Sequence, residues 1–280
     1  MTVKVVTDSA CDLPQELADE LGIAIVPLTI RFGTEEFVDR RDLTSTQFWE
    51  RCEASPTLPE TAAPSPGAFE AAFRGAAADG HEGVVAVLLS GGVSATLQSA
   101  QVAAEAVSGT IPVRVVDSKQ VSGALGLMAL NAAGLARAGK GIDDIAGAAE
   151  DEVGRTKLYA TFDTLDNLRK GGRIGRAQAV FGTVLSMKPV IEIVDGVVEA
   201  ESRQRTRGRS LRHLADKVRQ AGKVDHLVLL HADAPDWEEE LSLLAELVPR
   251  EEIIVTKVGA VIGTHSGPRA MGVAFQLPAP

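Results

Sequence analysis

The chain has 280 residues, of which 45% are hydrophobic, 24% charged and 4% aromatic. This balance fits a globular protein with room for two domains and excludes a disordered, fibrous or disulfide-stapled chain. A formal charge of −10 and few aromatic rings argue against nucleic acid as a partner, because both a broad basic footprint and a base-stacking platform are missing.

Val3 to Thr7 is a β-rich run and predicts a first strand. Asp12-Leu13-Pro14-Gln15 predicts a helix start, with Asp12 as N-cap and Gln15 reaching back as a capping box. Gly22 closes that helix, Ile23 to Ile30 predicts a second strand, and Thr46 to Cys52 a helix. The stretch from Ser55 to Gly67 holds Pro56, Pro59, Pro64 and Pro66 and predicts a stiffened loop, long enough to carry function. Ala68 to Ala78 is helical, Gly83 to Leu89 a buried strand, Ser94 to Val107 helical and Val113 to Val116 a strand. Helices over about 121–138 and 142–155 end this half. Strand and helix alternate throughout, which predicts a mostly parallel sheet sandwiched by helices.

The second half is less regular. Leu158 to Phe162 predicts a strand and Thr164 to Lys170 a short helix, broken by Gly171-Gly172. Asp195-Gly196 between two apolar runs predicts a hairpin. Ser210 to Gln220 and Trp237 to Leu247 predict helices; His226 to His231 and Ile253 to Val258 predict strands. A hairpin beside βα units implies a mixed sheet with helices. The expected architecture is therefore two α/β domains, 1–153 and 154–280, with the final segment free to return to the interface.

Cys11 and Cys52 form no C-x-x-C pair, and the five histidines form no ligand-spaced pair. No metal and no cofactor are expected. The N-terminal residues lack the pattern of a signal peptide, and no uncharged apolar run reaches the ~18 residues of a membrane span. The expected location is cytoplasmic, without stable membrane insertion.

Four places carry chemistry. Asp8 and Ser9 end the first strand, at the edge where open parallel sheets bind ligands. Ser90-Gly91-Gly92-Val93-Ser94-Ala95-Thr96 joins a buried strand to a helix; its free N–H groups and the hydroxyls of Ser94 and Thr96 favour an anion. It is neither a P-loop nor a dinucleotide fingerprint. Thr61 sits in the proline-stiffened loop, and His265 lies between hydroxyls and glycines in Gly263-Thr264-His265-Ser266-Gly267, read as a turn. Basic clusters at Lys170 to Arg176 and Arg203 to Arg209 stand out in an acidic chain and suit a phosphate or an acidic partner.

Taken together, the order and spacing resemble the DegV family of bacterial fatty-acid-binding proteins, the lipid-carrying subunits of fatty acid kinase. The resemblance spans Thr7-Asp8-Ser9, Asp12-Leu13-Pro14, Val26-Pro27-Leu28, Thr61 ahead of Pro64-Ser65-Pro66-Gly67, and Ser90 to Ser99. It continues through Asp117-Ser118-Lys119, Lys170-Gly171-Gly172-Arg173-Ile174, Lys188-Pro189, Arg205-Thr206-Arg207, Ile262 to Pro268 and Gly272-Val273. It implies a long-chain fatty acid in a tunnel between two α/β domains, its carboxylate held by Thr61, Ser94 and His265, with Thr96 adding a hydroxyl. Asp8, Ser9 and Thr264 are expected to support these groups from behind. Arg173 and Arg205 are implied in docking to a fatty acid kinase catalytic subunit or in phosphoryl transfer. The chain itself is then not an enzyme. Ala62, Ala63, Ala95 and Arg269 depart from the family pattern around the head group.

A burial argument agrees with the tunnel. About fifteen methylenes at ~0.8 kcal/mol each favour a buried chain by at most ~12 kcal/mol before binding costs. An unpaired carboxylate would erase much of that gain, so hydroxyls, N–H groups or a charged His265 must converge at its end; Val180 to Leu185 is expected to add an apolar wall. One alternative is a serine hydrolase acting on acyl esters, since Ser94, Asp233 and His265 follow the α/β-hydrolase order. Against it, Gly92-Val93-Ser94-Ala95-Thr96 lacks the second glycine of a nucleophile elbow. An anion sensor built on the arginine clusters is a third reading.

Overall fold

The computed structural model describes residues 2–55, 57–181 and 187–279. Strand β1 (Val3–Asp8) enters a 3-10 turn at Ser9–Cys11, then helix α1 (Gln15–Glu20) and β2 (Ala24–Val26). Next come β3 (Thr29–Phe32), β4 (Glu35–Val38), α2 (Ser45–Ala54) and β5 (Glu60–Ala62). Helix α3 (Pro66–Ala78), β6 (Gly83–Leu88), α4 (Thr96–Ala106) and β7 (Val113–Asp117) follow, and α5 (Ser122–Arg137) and α6 (Ile142–Glu152) end the first half. The second half runs through β8 (Thr156–Thr161), α7 (Asp166–Lys170), α8 (Ala177–Phe181), β9 (Lys188–Val194) and β10 (Val197–Gln204). It closes with α9 (Arg207–Ala221), β11 (His226–His231), α10 (Trp237–Ala245), β12 (Ile253–Lys257), α11 (Ala260–Ser266) and β13 (Met271–Gln276).

The first half forms a four-stranded parallel sheet in the order β2-β1-β6-β7. The second forms a six-stranded mixed sheet, β10-β9-β8-β13-β11-β12, in which only β11 and β12 pair in parallel. Asp195 and Gly196 both take positive φ, 50° and 82°, as the tight β9–β10 turn requires.

Helix α5 joins the two sheets. It touches β1 and β6 on one side and β8, β11 and β13 on the other, so most of its length is buried rather than one stripe. Two glycines permit that approach. A Cβ at Gly126 would lie 2.7 Å from the Cys11 carbonyl oxygen, and one at Gly123 would lie 2.9 Å from Leu230 Cδ2. One apolar cluster therefore runs through both sheets, from Val5 and Val87 to Leu158, Ile193 and Leu230.

Several expectations change. The strand expected over 23–30 is split by Pro27: β2 joins the parallel sheet, while β3 turns away into a separate antiparallel sheet, β4-β3-β5. Part of the proline-rich loop is thus a strand, and Thr61 pairs with Ile30. Asp12 does not cap α1; Pro14 precedes that helix without a side-chain cap bond, and Gln15 Nε2 donates to Asp19 Oδ1 instead. A capping box forms at Thr44 and Gln47, where α2 begins. The turn expected around His265 is the last turn of α11. Strand β13 escaped the sequence reading, yet it is central and fully buried. Val180 is 55% exposed and is not among the residues that line the cavity between the two sheets; residues 182–185 of the same expected wall lie outside the described residues.

Candidate functional site

A cavity of about 110 Å3 lies between the two sheets. Leu28, Leu89 and Val121 face it from the first half, and Leu158, Ile191, Ile193 and Leu230 from the second. Its floor follows the sheet register: Leu230, Gly272, Ala160 and Ile191 lie side by side on β11, β13, β8 and β9, and all four line the cavity. Small residues in the middle of that row leave a trough between two large ones.

The wall is polar at Thr61, Ser94, Arg173 and His265. Strand β5 presents Thr61, whose Oγ1 lies 2.9 Å from His265 Nε2. Burial and then the Arg173 charge push the His265 imidazole down to about 4, so the ring is neutral at pH 7 rather than the cation the sequence argument entertained. Its Nδ1 is buried without a partner. The Gly-Gly-Arg segment explains why that ring can sit there. A Cβ at Gly171 would collide with His265 Nδ1, Gly172 takes φ 69°, and the turn then brings Arg173 to the cavity. Arg173 Nε donates to the Val93 carbonyl at 3.1 Å and Nη1 to the Gly171 carbonyl at 2.7 Å, tying the two halves together.

Ser94 lines the cavity before α4, with its Oγ 2.9 Å from Thr96 Oγ1 and accepting from Thr96 N. Thr96 is fully buried behind Ser94 and does not line the cavity. Asp8 and Ser9 are also one layer back. Asp8 Oδ2 accepts from Leu89 N at 2.7 Å and Oδ1 from Ala10 N, while Ser9 Oγ accepts from Leu28 N at 3.1 Å. Both thereby fix backbone that borders the cavity. Burial raises the Asp8 carboxyl to about 6 against the pull of those N–H groups. Thr264 faces away and donates to the Ala260 carbonyl within α11.

Outside lies a wide open groove that includes Lys170, Arg269, Glu53 and Asp233. Thr61, Arg173 and His265 line both the groove and the inner cavity. The polar end of the cavity therefore faces outward. Arg269 ion-pairs with Asp163 at 3.0 Å; Ala62 is exposed. The Arg-Thr-Arg segment divides its labour. Thr206 caps α9, Arg207 makes a two-pronged pair with Asp236, and Arg205 is exposed. Much of the remaining basic character is paired, as in Arg169–Asp166 and Arg176–Glu199.

The hydrolase arrangement is not assembled. His265 Nε2 meets Thr61, its Nδ1 meets no carboxylate, and Asp233 is paired with Lys257. Among the described residues, no group of His, Cys, Asp and Glu is placed to hold a metal ion, and no helix is long and apolar enough to cross a membrane. Ser122 and Ser266 also line the cavity. The sequence marks Ser266 only as a hydroxyl beside His265 and Gly171 only as part of the double glycine before Arg173, and it carries no signal for Ser122.

Comparison with known proteins gives a consistent result. The model of the DegV family, described as uncharacterised proteins, matches residues 2–277. The chain is 36% identical over 275 residues to a DegV domain-containing protein of Streptomyces coelicolor, covering 97% of each chain. It is similar to a fatty-acid-binding DegV family protein from Thermus thermophilus, with TM-score 0.91, 32% identity and coverage of 99% of this chain and 100% of that one. The fatty acid binding protein DegV of Bacillus subtilis gives a TM-score of 0.89 at 29% identity, with 99% of this chain and 100% of that one covered.

Proposed function

The chain belongs to the DegV family, and on that premise we propose that it binds a long-chain fatty acid in the inter-sheet cavity and presents the carboxylate outward. One observation carries this reading: Thr61, Arg173 and His265 border both the apolar cavity and the open groove. A fatty acid needs such a boundary, because its chain gains from burial while its carboxylate must stay hydrogen-bonded or charge-paired. Arg173 supplies the charge. Thr61 and Ser94 supply hydroxyl donors, and His265 can donate from one ring nitrogen while accepting at the other. Thr96, Asp8 and Ser9 hold the groups and backbone around them. The relatives from Thermus and Bacillus, described as fatty acid binding, support the same ligand class.

The finer reading is a carrier for a separate kinase subunit that makes the acyl phosphate. The sequence has no nucleotide phosphate-binding signature, so ATP chemistry belongs to a partner. Arg205 is an exposed guanidinium free to meet that partner, and Arg173 borders both the cavity and the groove, which supports a role at the presented carboxylate. The test is titration of the purified protein with palmitate, followed by turnover with a fatty acid kinase catalytic subunit. Ser94→Ala and His265→Ala are expected to weaken uptake or turnover, and Arg205→Ala to spare uptake but reduce turnover. Unchanged uptake and turnover in the first two would remove them from the site; loss of uptake in the third would refute its docking role.

A further inference from the structure

Asp12 belongs to none of the groups above, yet both oxygens of its carboxylate accept hydrogen bonds from segments distant in sequence. It is 2% exposed and takes a left-handed backbone, φ 50° and ψ 23°, as the 3-10 turn after β1 ends. Its Oδ1 accepts from Gly259 N at 2.9 Å and its Oδ2 from Ser122 Oγ at 2.5 Å. Its carbonyl accepts from Thr256 Oγ1 at 2.6 Å. One residue of the first half thus holds β12, the residue that opens α11 and the first residue of α5.

What those segments carry makes the arrangement more than structural filler. Gly259 opens α11 without any side-chain cap of its own, and a Cβ there would lie 2.9 Å from Asp12 Oδ1. The Asp12 carboxylate is the cap, supplied from the other half of the chain. The same helix carries Val261, Ile262, His265 and Ser266 into the cavity wall. Ser122 also lines the cavity, and it too has a positive φ, 53°. Two non-glycine residues in the costly left-handed region, bonded to each other, persist only where surrounding structure holds them. Further along, Gly263 of α11 packs closely against Phe48 and Trp49, two residues before His265.

We propose that Asp12 is a positioning residue: its carboxylate clasps the starts of α11 and α5 and so sets where His265 and Ser122 meet the ligand. The proposal rests on the fatty-acid reading for its consequence, but the clasp itself is a property of the unliganded protein. The full chain, labelled at histidine, is compared as wild type, Asp12→Ala and Asp12→Asn by NMR of the His265 ring and by palmitate titration. Asp12→Ala is expected to shift the His265 ring signals and weaken palmitate binding about tenfold, since two buried donors lose their acceptor. Asn tolerates left-handed φ and keeps an oxygen for Gly259 N–H, so Asp12→Asn is expected to restore both readouts to within about twofold. Gly259→Ala, which pushes the clasp apart while leaving the carboxylate in place, is expected to move His265 as Asp12→Ala does, and it serves if the alanine variant fails to fold. Unmoved His265 signals in the Ala variants, or an Asn variant as impaired as Ala, overturn the proposal. If wild type takes up no palmitate, the fatty-acid reading fails, and the His265 signals still decide the clasp.

Discussion

Replacing Ala160 with Leu fills the trough in the cavity floor. Ala160 lies between Gly272 and Ile191 in the cross-strand row, and its side chain faces the cavity. Leucine adds about three carbons, enough to displace about three methylenes of a chain lying there; at ~0.8 kcal/mol each that is ~2.4 kcal/mol, or roughly 50-fold in affinity. The loss should fall on long chains only. Titration of the variant with palmitate and with dodecanoate measures the selectivity directly, with palmitate binding falling by that factor and dodecanoate binding nearly unchanged. A general fault in folding would weaken both alike. Equal weakening of the two, or no change in either, refutes the assignment of this floor to the acyl chain.

Thr61→Val keeps side-chain volume but leaves His265 Nε2 without its partner; hydrogen bonds to charged groups contribute about 1.5–3 kcal/mol, so palmitate affinity should drop roughly 10- to 100-fold by calorimetry, and a change under about twofold contradicts the role given to Thr61. Gly171→Ala places a methyl against His265 Nδ1 and should weaken binding similarly, with the displaced ring visible in a crystal structure. Arg173→Ala removes the lesser of the two causes that depress His265, so an NMR titration should show its pKa rise from about 4 yet stay below 6.5. The sign of the pH effect follows. With a folded pKa of about 4 against 6.5, the unfolded chain binds more protons in that window, so the stability from a neutral His265 is lost as pH falls through it. A bound carboxylate raises that pKa, so palmitate binding between about 4 and 6.5 should take up protons, measurable from binding heats in two buffers; no uptake there places the carboxylate away from His265.

The parallel half was legible because its strands are continuous apolar runs separated by helix signals. Val84 to Leu88 could be read as a buried strand directly. The hairpin at Asp195-Gly196 was equally open, since few dipeptides accept two positive φ values in succession. Strand β13 was not legible: Met271-Gly272-Val273-Ala274 contains small residues and a glycine, chosen for a cavity floor rather than for strand propensity. Asp12 was misread for a related reason. Asp-Leu-Pro-Gln satisfies the local pattern of a helix cap, but the donors to its carboxylate, Gly259 N–H and Ser122 Oγ–H, are set by tertiary contact. At the site, motif resemblance named Thr61, Ser94 and His265 as residues distant in sequence. Their meeting at one cavity wall depends on α5 bringing the two sheets together, and no local pattern encodes that.

The central claim is that a fatty acid occupies the inter-sheet cavity. Native mass spectrometry of the purified chain, followed by solvent extraction and identification of what is released, tests it most directly. The account predicts near-stoichiometric long-chain fatty acid in the protein as isolated, or its uptake when added to protein stripped of lipid. A stripped protein that remains empty in the presence of added fatty acid contradicts it.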